Sequence, residues 1–213
     1  MVKQLHERRM EAVESAILSE RDFRQYQDNL DITAEELNKW DKIVDLGAGT
    51  RQEFAREVSA GGFDAEVISV DPRLLLSEEE DLAGMLEEEA EARILGRNEP
   101  FGEVVGALAQ DLPFEDESID AVLAHFSVPM YLESKSEINE ALDEILRVLM
   151  PGGEARIYPV SSTKNQQEVL EWLADHEDEI EVDSEIKEEN LKVGEVKYLI
   201  KIKKRGAKAA LVA

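Results

Sequence analysis

The sequence predicts an α/β protein: a three-layer α/β/α sandwich on a mostly parallel seven-stranded sheet with an antiparallel terminal hairpin. Short apolar segments alternate with amphipathic segments through residue 160, and parallel neighbouring strands need such crossover helices. Two more strand-like segments then follow each other closely, which is typical of an antiparallel pair. A chain of 213 residues with 43% hydrophobic residues is long enough for one such domain.

Seven segments have the length and the apolar content of strands, and four have the spacing of helices. The predicted strands are 42–46, 65–70, 104–109, 119–126, 154–160, 179–186 and 196–203. The predicted helices are 51–60, 77–95, 134–150 and 165–176, the last capped by Thr163. Gly61 and Gly62 are placed to end the first helix, and Pro151-Gly152-Gly153 stops the third and leads into the fifth strand.

Residues 1–40 are predicted to be a helical extension. Apolar residues recur at helical spacing through residues 1–30, and Thr33 with Glu36 has the form of a capping box that opens a short second helix. This extension either covers a pocket as a lid or packs on the edge of the domain. The α/β domain itself is expected to be a single one over 41–204, and 205–213 a flexible tail.

The net charge of −25 makes this an acidic protein. Binding to a nucleic-acid backbone normally needs a Lys/Arg surface, so the charge argues against nucleic-acid partners. A heavily solvated surface explains the charge most simply, while a basic partner, a cationic substrate or a salt-adapted source also fits. The Glu-rich segment at 77–95 is interpreted as a solvated helix face rather than a metal site.

Several classes of site are excluded by composition. There is no cysteine, which excludes disulfides, thiolate metal sites and cysteine nucleophiles, and the three scattered histidines lack ligand spacing, so no metal is expected. No apolar stretch of about 18 residues is present, so no membrane-spanning helix is expected. The first residues lack the apolar core of a secretory signal, and we expect a cytoplasmic location.

A glycine-rich turn follows the first predicted strand. Residues 42–50 read K-I-V-D-L-G-A-G-T, and the next strand again ends in an aspartate, Asp71. Glycines let the backbone approach a ligand closely, and an acid at the next strand end can accept hydrogen bonds from a ribose. The structural alternative is that Asp45 and Asp71 cap the helices that follow them and that Gly47 and Gly49 only form a tight turn.

Five segments in this order resemble the class I S-adenosylmethionine-dependent methyltransferases, especially the small enzymes that act on small molecules. They are V-D-L-G-A-G-T at 44–50, V-D at 70–71, A-Q-D-L-P-F at 109–114, S-I-D-A-V at 118–122 and R-V-L-M-P-G-G at 147–153. The resemblance implies a Rossmann-like methyltransferase fold over 41–204. It also implies S-adenosylmethionine as cofactor and transfer of its methyl group to an unidentified, small-molecule acceptor.

The resemblance also implies the residues that bind the cofactor. All lie at the carboxyl ends of predicted strands, where ligands bind in open α/β sheets. They are Asp45, Gly47, Ala48 and Gly49 at the methionine end, Asp71 and Pro72 at the ribose, Gln110, Asp111 and Leu112 at the adenine, and His125, Phe126 and Ser127 at the transfer site.

The transfer reaction needs few catalytic groups, because positioning and desolvation supply much of the acceleration of an in-line displacement. His125 is the first candidate for a general base, since an imidazole titrates near neutral pH, and Tyr131 is the second. A purely structural His125 is the alternative. His6 and His176 lie on polar segments that are expected to be exposed, and no role is expected for them. Residues 128–132 do not match the Asn/Asp-Pro-Pro-Tyr motif of enzymes that methylate bases or glutamine.

Arg51 stands where the resembling enzymes usually carry a third glycine. Its side chain either points to solvent, crowds the carboxylate of the cofactor or pairs with it, so a non-catalytic cofactor-binding or scaffold protein is the alternative function. A nicotinamide dehydrogenase is a weaker alternative, because Gln52 interrupts the full G-x-G-x-x-G pattern. Asp120 lies beside the turn that enters the fourth strand, and a structural role is expected for it.

Overall fold

The computed structural model describes residues 22–75, 101–190, 192 and 194–206. The predicted helix at 77–95, most of the predicted helix at 1–30 and the end of the tail lie outside these residues. The chain forms two compact units, residues 1–108 and 109–213. The boundaries of a single domain at 41–204 stay a prediction.

The described part of the first unit contains three strands, three α-helices of which one is short, and a glycine turn. Its elements are α1 (Phe23–Leu30), α2 (Ala34–Leu37), β1 (Lys42–Leu46), α3 (Glu53–Ala60), β2 (Glu66–Val70), a 3-10 turn (Pro72–Leu75) and β3 (Glu103–Val105). β1 pairs with β2, and β2 with β3, both in parallel. β3 is shorter than predicted because its pairing with β2 stops at Val105, opposite the last residue of β2, Val70.

Local capping explains where the first two helices begin. Asp22 caps α1, accepting the backbone N–H of Gln25 at 2.9 Å, and the Gln25 side chain returns a bond to the Asp22 backbone. The predicted capping box of Thr33 and Glu36 is present and opens α2. Each reciprocal pair satisfies two backbone donors that a helix start would otherwise leave without partners.

The second unit contains the remaining strands and two long helices. Its elements are β4 (Ile119–His125), α4 (Lys135–Val148), β5 (Leu149–Ser161), α5 (Gln166–Asp175), β6 (Ile180–Asn190) and β7 (Glu195–Lys204). β4 and β5 are parallel, whereas β7 runs antiparallel to both β5 and β6. The strand order is β3-β2-β1-β4-β5-β7-β6, which confirms the predicted mostly parallel sheet with an antiparallel terminal pair.

β5 begins earlier than predicted, within the segment interpreted as a helix end and turn. Leu149 already pairs with Ile119 of β4, and the register then shifts before the regular ladder. A Cβ at Gly153 would lie 2.9 Å from the carbonyl oxygen of Asp120, so only glycine fits this close approach. The Pro-Gly-Gly segment is therefore part of the strand, not only a helix stop.

The cap of α5 also differs from the prediction. Asn165, not Thr163, is the N-cap residue, and it makes no side-chain bond to the helix. The Thr163 hydroxyl instead lies 3.1 Å from the Ser161 hydroxyl, and the Asn165 side chain accepts the Ser161 backbone N–H at 3.0 Å. Both side chains hold the strand-to-helix connection and leave the helix start to its backbone.

β6 is the last strand in the sheet order, and five of its 11 residues are acidic. Glu181 lies opposite Lys203, and Asp183 lies opposite Lys201, on β7. Opposite charges at directly facing positions stabilise a strand pair modestly. Among the described residues, no helix is both long and apolar enough to cross a membrane.

Candidate functional site

The glycine turn after β1 is tied to the end of β2. Gly47 and Gly49 have φ angles of 82° and 71°, in the left-handed region that favours glycine. The backbone N–H groups of Gly47 and Ala48 donate to the carbonyl oxygen of Val70 at 2.7 and 3.2 Å. The turn thus has a fixed position and, at its two glycines, no side chain that would keep a ligand from the backbone.

The backbone at position 51, where the resembling enzymes usually carry a third glycine, does not require glycine. The next residue with a positive φ is Gln52, at 53°, and Arg51 is not among the positive-φ residues. The Gln52 amide donates to the carbonyl oxygen of Phe101 and accepts its N–H, both at 2.9 Å. α3 therefore begins at Glu53, two residues later than predicted, and Arg51 is compatible with the backbone of the turn.

Asp45 is buried and bonded to the helix that precedes the sheet. Its carboxylate is at the end of β1 and the residue is 1% exposed. The hydroxyl of Tyr26 on α1 donates to Asp45 Oδ1 at 2.7 Å, and the Tyr26 ring stacks on Phe54 of α3 at 4.2 Å. Sequence reasoning missed Tyr26, although the Asp22 and Gln25 pattern marks the start of its helix.

We expect Tyr26→Phe to lower the free energy of unfolding by about 1–2 kcal/mol, since a buried carboxylate loses a hydroxyl donor while the ring stack stays. Urea denaturation followed by circular dichroism measures this. Tyr131→Phe makes the same change at a side chain that is 36% exposed, where a change within about 0.5 kcal/mol is expected. Equal effects of the two variants would contradict a stabilising role for the Tyr26–Asp45 bond.

Asp71 is buried at the end of β2 and engaged by protein groups. Arg73 Nε and Nη2 lie 3.0 and 3.1 Å from Asp71 Oδ1 and Oδ2, and both residues are below 5% exposed. Oδ1 also accepts the Arg73 backbone N–H at 2.9 Å, and Oδ2 accepts the Gly49 N–H at 3.1 Å. Asp71 thus joins the glycine turn to the 3-10 turn that begins at Pro72, and sequence reasoning missed its partner Arg73.

The predicted adenine-binding residues lie in a loop of the second unit, after β3. Leu112 is buried, Gln110 is half-buried and Asp111 is exposed. The Asp111 carboxylate is therefore on the outside of this loop, whereas the Leu112 side chain anchors it. Predicted contacts of these residues with adenine stay predictions.

Two residues of α4 hold this 110–116 loop. Glu144 Oε2 accepts the Leu112 N–H at 2.9 Å, and Arg147 Nη2 donates to the Leu112 carbonyl at 2.8 Å. Arg147 Nη1 donates to the Phe114 carbonyl and to Asp116 Oδ1 at 2.8 and 2.7 Å. Arg147 and Glu144 also bond each other through two atoms each. We call Glu144 and Arg147 the loop clamp.

Glu144 and Arg147 of the loop clamp each stabilise the ionised form of the other. Hydrogen bonds from Arg147 hold the pKa of Glu144 below its ordinary value, and bonds to Glu144 and Asp116 raise the pKa of Arg147. A lowered carboxyl pKa stabilises the fold above the ordinary value of 4.5, and this contribution is lost as the pH falls through the lowered value.

We therefore expect the stability of the wild type to fall more steeply than that of Glu144→Gln as the pH is lowered from about 6 to about 3. The two stabilities should approach each other at the acid end, because protonated Glu144 resembles glutamine. Denaturant midpoints measured across this range test it. Parallel pH curves for the two proteins would show that Glu144 does not contribute in its ionised form.

The carboxyl end of β4 carries an aromatic group. The His125 ring is buried, with centroids 5.0 Å from Phe126 and 6.1 Å from Tyr158, and burial raises the pKa of Tyr158. Phe126 is half-buried with a φ of 51°, and its N–H donates to the Tyr158 carbonyl at 2.6 Å. A non-glycine residue in this region is strained, and such residues cluster at functional sites.

The remaining candidate residues from the sequence are Ser127 and Tyr131, which follow β4, and His176, which follows α5. Ser127 is half-buried, and its carbonyl accepts the N–H of Tyr131, whose side chain is exposed. His176 was expected on a polar, exposed segment, but its ring is half-buried, stacks on Trp172 at 4.1 Å and bonds the carbonyl of that residue. Within the described ranges, no group of His, Asp and Glu side chains is arranged to hold a metal ion.

These features define a class of protein: an α/β domain whose strand-end turn and acids resemble those of class I methyltransferases. Residues 44–157 match the family model of the methyltransferase domain, and the chain belongs to this family. The predicted family, class I S-adenosylmethionine-dependent methyltransferases, is thereby confirmed, and with it S-adenosylmethionine as the cofactor.

Two curated relatives are similar over this region. A demethylmenaquinone methyltransferase of Clavibacter sepedonicus is 38% identical over 126 residues, which cover 57% of this chain and 42% of that protein. The ubiquinone/menaquinone biosynthesis C-methyltransferase UbiE of Brucella anthropi is 34% identical over 110 residues, which cover 52% of this chain and 37% of that protein. The chain thus matches about two fifths of the length of each relative.

Solved structures show the same fold. The N-methyltransferase NodS from Bradyrhizobium japonicum WM9, in complex with S-adenosyl-l-homocysteine, superposes with a TM-score of 0.55 and 11% identity. The superposition covers 93% of this chain and 99% of that chain. At this level of identity the similarity concerns the fold alone, and it confirms the Rossmann-like architecture.

Proposed function

We propose that the protein transfers the methyl group of S-adenosylmethionine to a small aromatic acceptor of the quinol type. The family match over 44–157 carries the reaction type. The acceptor class is supported by the two relatives, one named for demethylmenaquinone and one for ubiquinone and menaquinone biosynthesis.

The glycine turn fits the methionine end of the cofactor. Gly47 and Gly49 hold left-handed backbone without a Cβ, and the turn is anchored on Val70, so a ligand can contact the backbone there. When bound, the cofactor supplies a methyl carbon activated by the positive sulfur. The contribution of the chain is to position it, with Asp45 fixed by Tyr26 beside the turn.

The ribose position fits the cofactor less directly. The Asp71 carboxylate accepts four N–H groups, two of them from the Arg73 guanidinium. A carboxylate offers about four lone-pair sites, so the observed arrangement leaves none for the ribose hydroxyls. Binding at this position therefore requires a change in the protein.

The aromatic group at the end of β4 supports a planar acceptor. Phe126 is half-buried and lies edge-on to Tyr158, with ring centroids 5.3 Å apart at 87°. An aromatic ring adjacent to a ligand space can stack on a quinol ring, and aromatic pairs of this kind favour offset or edge contacts. We propose Phe126 as the residue that contacts the acceptor.

Transfer from methyl-labelled S-adenosylmethionine to a panel of acceptors tests the proposal. The panel comprises reduced naphthoquinones and benzoquinones, catechols, primary amines and RNA. Label on a ring carbon of a quinol is the expected result. Label on amines alone would overturn the acceptor class but not the reaction type, and cofactor binding without transfer to any acceptor would favour the non-catalytic alternative.

Phe126→Leu should raise the KM for the quinol and leave the affinity for S-adenosylhomocysteine unchanged. Phe63→Leu is a matched control, because its half-buried ring packs against Phe23 in the first unit at 6.0 Å. A KM that Phe126→Leu leaves at the wild-type value would remove Phe126 from the acceptor site.

His125 is expected to act in packing rather than as a base, because its ring is 1% exposed. We expect His125→Asn to lower the free energy of unfolding by about 1–3 kcal/mol while the pH profile of kcat per folded protein keeps its shape. A general base normally contributes about 10²–10⁴-fold to the rate. A loss of that size, with loss of the acid limb of the profile, would restore His125 as the base.

A further inference from the structure

Each oxygen of the Asp71 carboxylate accepts two N–H donors. Oδ1 accepts the backbone N–H and the Nε–H of Arg73, and Oδ2 accepts the Gly49 N–H and an Nη2–H of Arg73. All four distances lie between 2.9 and 3.1 Å. The guanidinium therefore occupies two of the four acceptor positions of the carboxylate.

We infer that Arg73 is a latch that competes with the ribose of the cofactor for Asp71 and so sets the affinity for the cofactor. This inference rests on the proposed function, because it assigns the ribose to Asp71. The bidentate guanidinium mimics the two hydroxyl donors of the diol, since both present two parallel donors to one carboxylate.

The guanidinium is the donor that gives way. The Gly49 N–H is fixed by the turn, and the Arg73 N–H is fixed by the 3-10 turn, where Leu74 N–H also bonds the Asp71 carbonyl at 3.1 Å. The Arg73 guanidinium, by contrast, lies at the end of a side chain with several rotatable bonds, so a change of rotamer can move it without moving the backbone. A ribose can therefore enter only when the side chain swings away from Asp71.

The two possible roles of Arg73 predict opposite changes in cofactor affinity when Arg73 is replaced. A residue that merely orients Asp71 would weaken cofactor binding when it is replaced. A competitor would strengthen it, because the ligand no longer displaces a charge-assisted pair that is buried below 5% exposure. The direction of the affinity change thus separates the two roles.

Calorimetric titration with S-adenosylhomocysteine of the wild type, Arg73→Gln and Arg73→Lys tests this. We expect Arg73→Gln to bind about tenfold more tightly than the wild type, corresponding to loss of one charge-assisted bond pair. Arg73→Lys, which keeps the charge but not the fork, should lie between them. It also serves as the test if Arg73→Gln does not fold. Arg24→Gln, which changes an exposed arginine near Asp28, is the control and should leave the affinity unchanged.

A second titration isolates the ribose. Adenosine should gain affinity in Arg73→Gln, whereas 2′,3′-dideoxyadenosine should bind the wild type and the variant equally. Gains for both ligands, or weaker binding of S-adenosylhomocysteine by both Arg73 variants, would overturn the latch. If neither the wild type nor any variant binds S-adenosylhomocysteine, the cofactor site itself fails and the proposed function with it. Equal binding by all of them removes only the latch.

Discussion

Arg147→Leu should lower the free energy of unfolding by about 1.5–3 kcal/mol, the range for hydrogen bonds to charged groups, because the Arg147 side chain is only partly buried. It should also weaken the binding of S-adenosylhomocysteine by at least about tenfold. Arg147 makes hydrogen bonds to the Leu112 and Phe114 carbonyls and to Glu144 and Asp116. Its loss removes one donor from each of the two carbonyls and leaves the Glu144 carboxylate with the Leu112 N–H but not the guanidinium. It also loosens the loop predicted to bind the adenine.

The losses of stability and of affinity both follow from the hydrogen bonds of the Arg147 guanidinium. The guanidinium fork bonds two backbone carbonyls that are two residues apart and a carboxylate that itself holds the Leu112 N–H. Arg147→Lys keeps the charge but presents a single ammonium, so it cannot reach all these acceptors and should recover only part of the loss. Denaturation of the two variants by guanidinium chloride measures the loss of stability. Calorimetric titration with S-adenosylhomocysteine measures the loss of affinity.

Lys135→Gln is the matched control on the same helix. Its ion pair with Glu171 is exposed on both sides, with side chains 56% and 43% accessible. Exposed pairs contribute about 0–1 kcal/mol, so little change is expected in stability and none in affinity. If Arg147→Leu lost stability but bound S-adenosylhomocysteine as the wild type does, the 110–116 loop would not be part of the cofactor site.

Asp71→Asn should also have a large effect, because its ion pair is buried. It removes the charge that Asp71 presents to the Arg73 guanidinium, which is 2% exposed. We expect a loss of about 3–5 kcal/mol in the free energy of unfolding. The affinity for S-adenosylhomocysteine should also fall by about 10–100-fold, because an amide accepts fewer hydroxyl bonds than a carboxylate.

The double variant Asp71→Asn/Arg73→Leu separates stability from binding. Replacing both partners of a buried pair by uncharged groups is often neutral for stability, so the double variant should regain most of the loss. It should not regain affinity, since the acceptor for the ribose is still missing. Asp120→Asn is the control, and its affinity should match the wild type. Full recovery of binding in the double variant would exclude Asp71 as the ribose acceptor.

The local pattern of apolar and polar residues was sufficient to predict the position of several strands. β1, β2 and β4 are apolar runs bounded by polar turns, and they lie within one residue of their predicted ends. β5 was predicted too short because Pro151 and the glycines after it disfavour a strand locally. Pairing with β4 overrides that preference, and no local pattern reports it.

Sequence reasoning could propose the candidate site only where it depends on the turn and the strand ends, and the binding roles of these residues stay predictions. The glycine turn and Asp71 were identified from neighbouring residues. Tyr26 contacts Asp45 across 19 positions, and Glu144 contacts Leu112 across 32, so neither contact leaves a periodic signal. Arg73 lies only two residues from Asp71, yet whether it pairs with that carboxylate or points away is decided by tertiary packing and not by spacing.

The acidic outer strand bears on edge-to-edge pairing between copies of the protein. β6 ends the sheet order and carries five carboxylates, at Glu181, Asp183, Glu185, Glu188 and Glu189. A second copy that added its own β6 to this edge would bring ten like charges into register, and repulsion opposes that pairing. Because screening shortens the reach of this repulsion to about 3 Å at 1 M salt, concentrated salt should weaken the barrier to edge-to-edge aggregation.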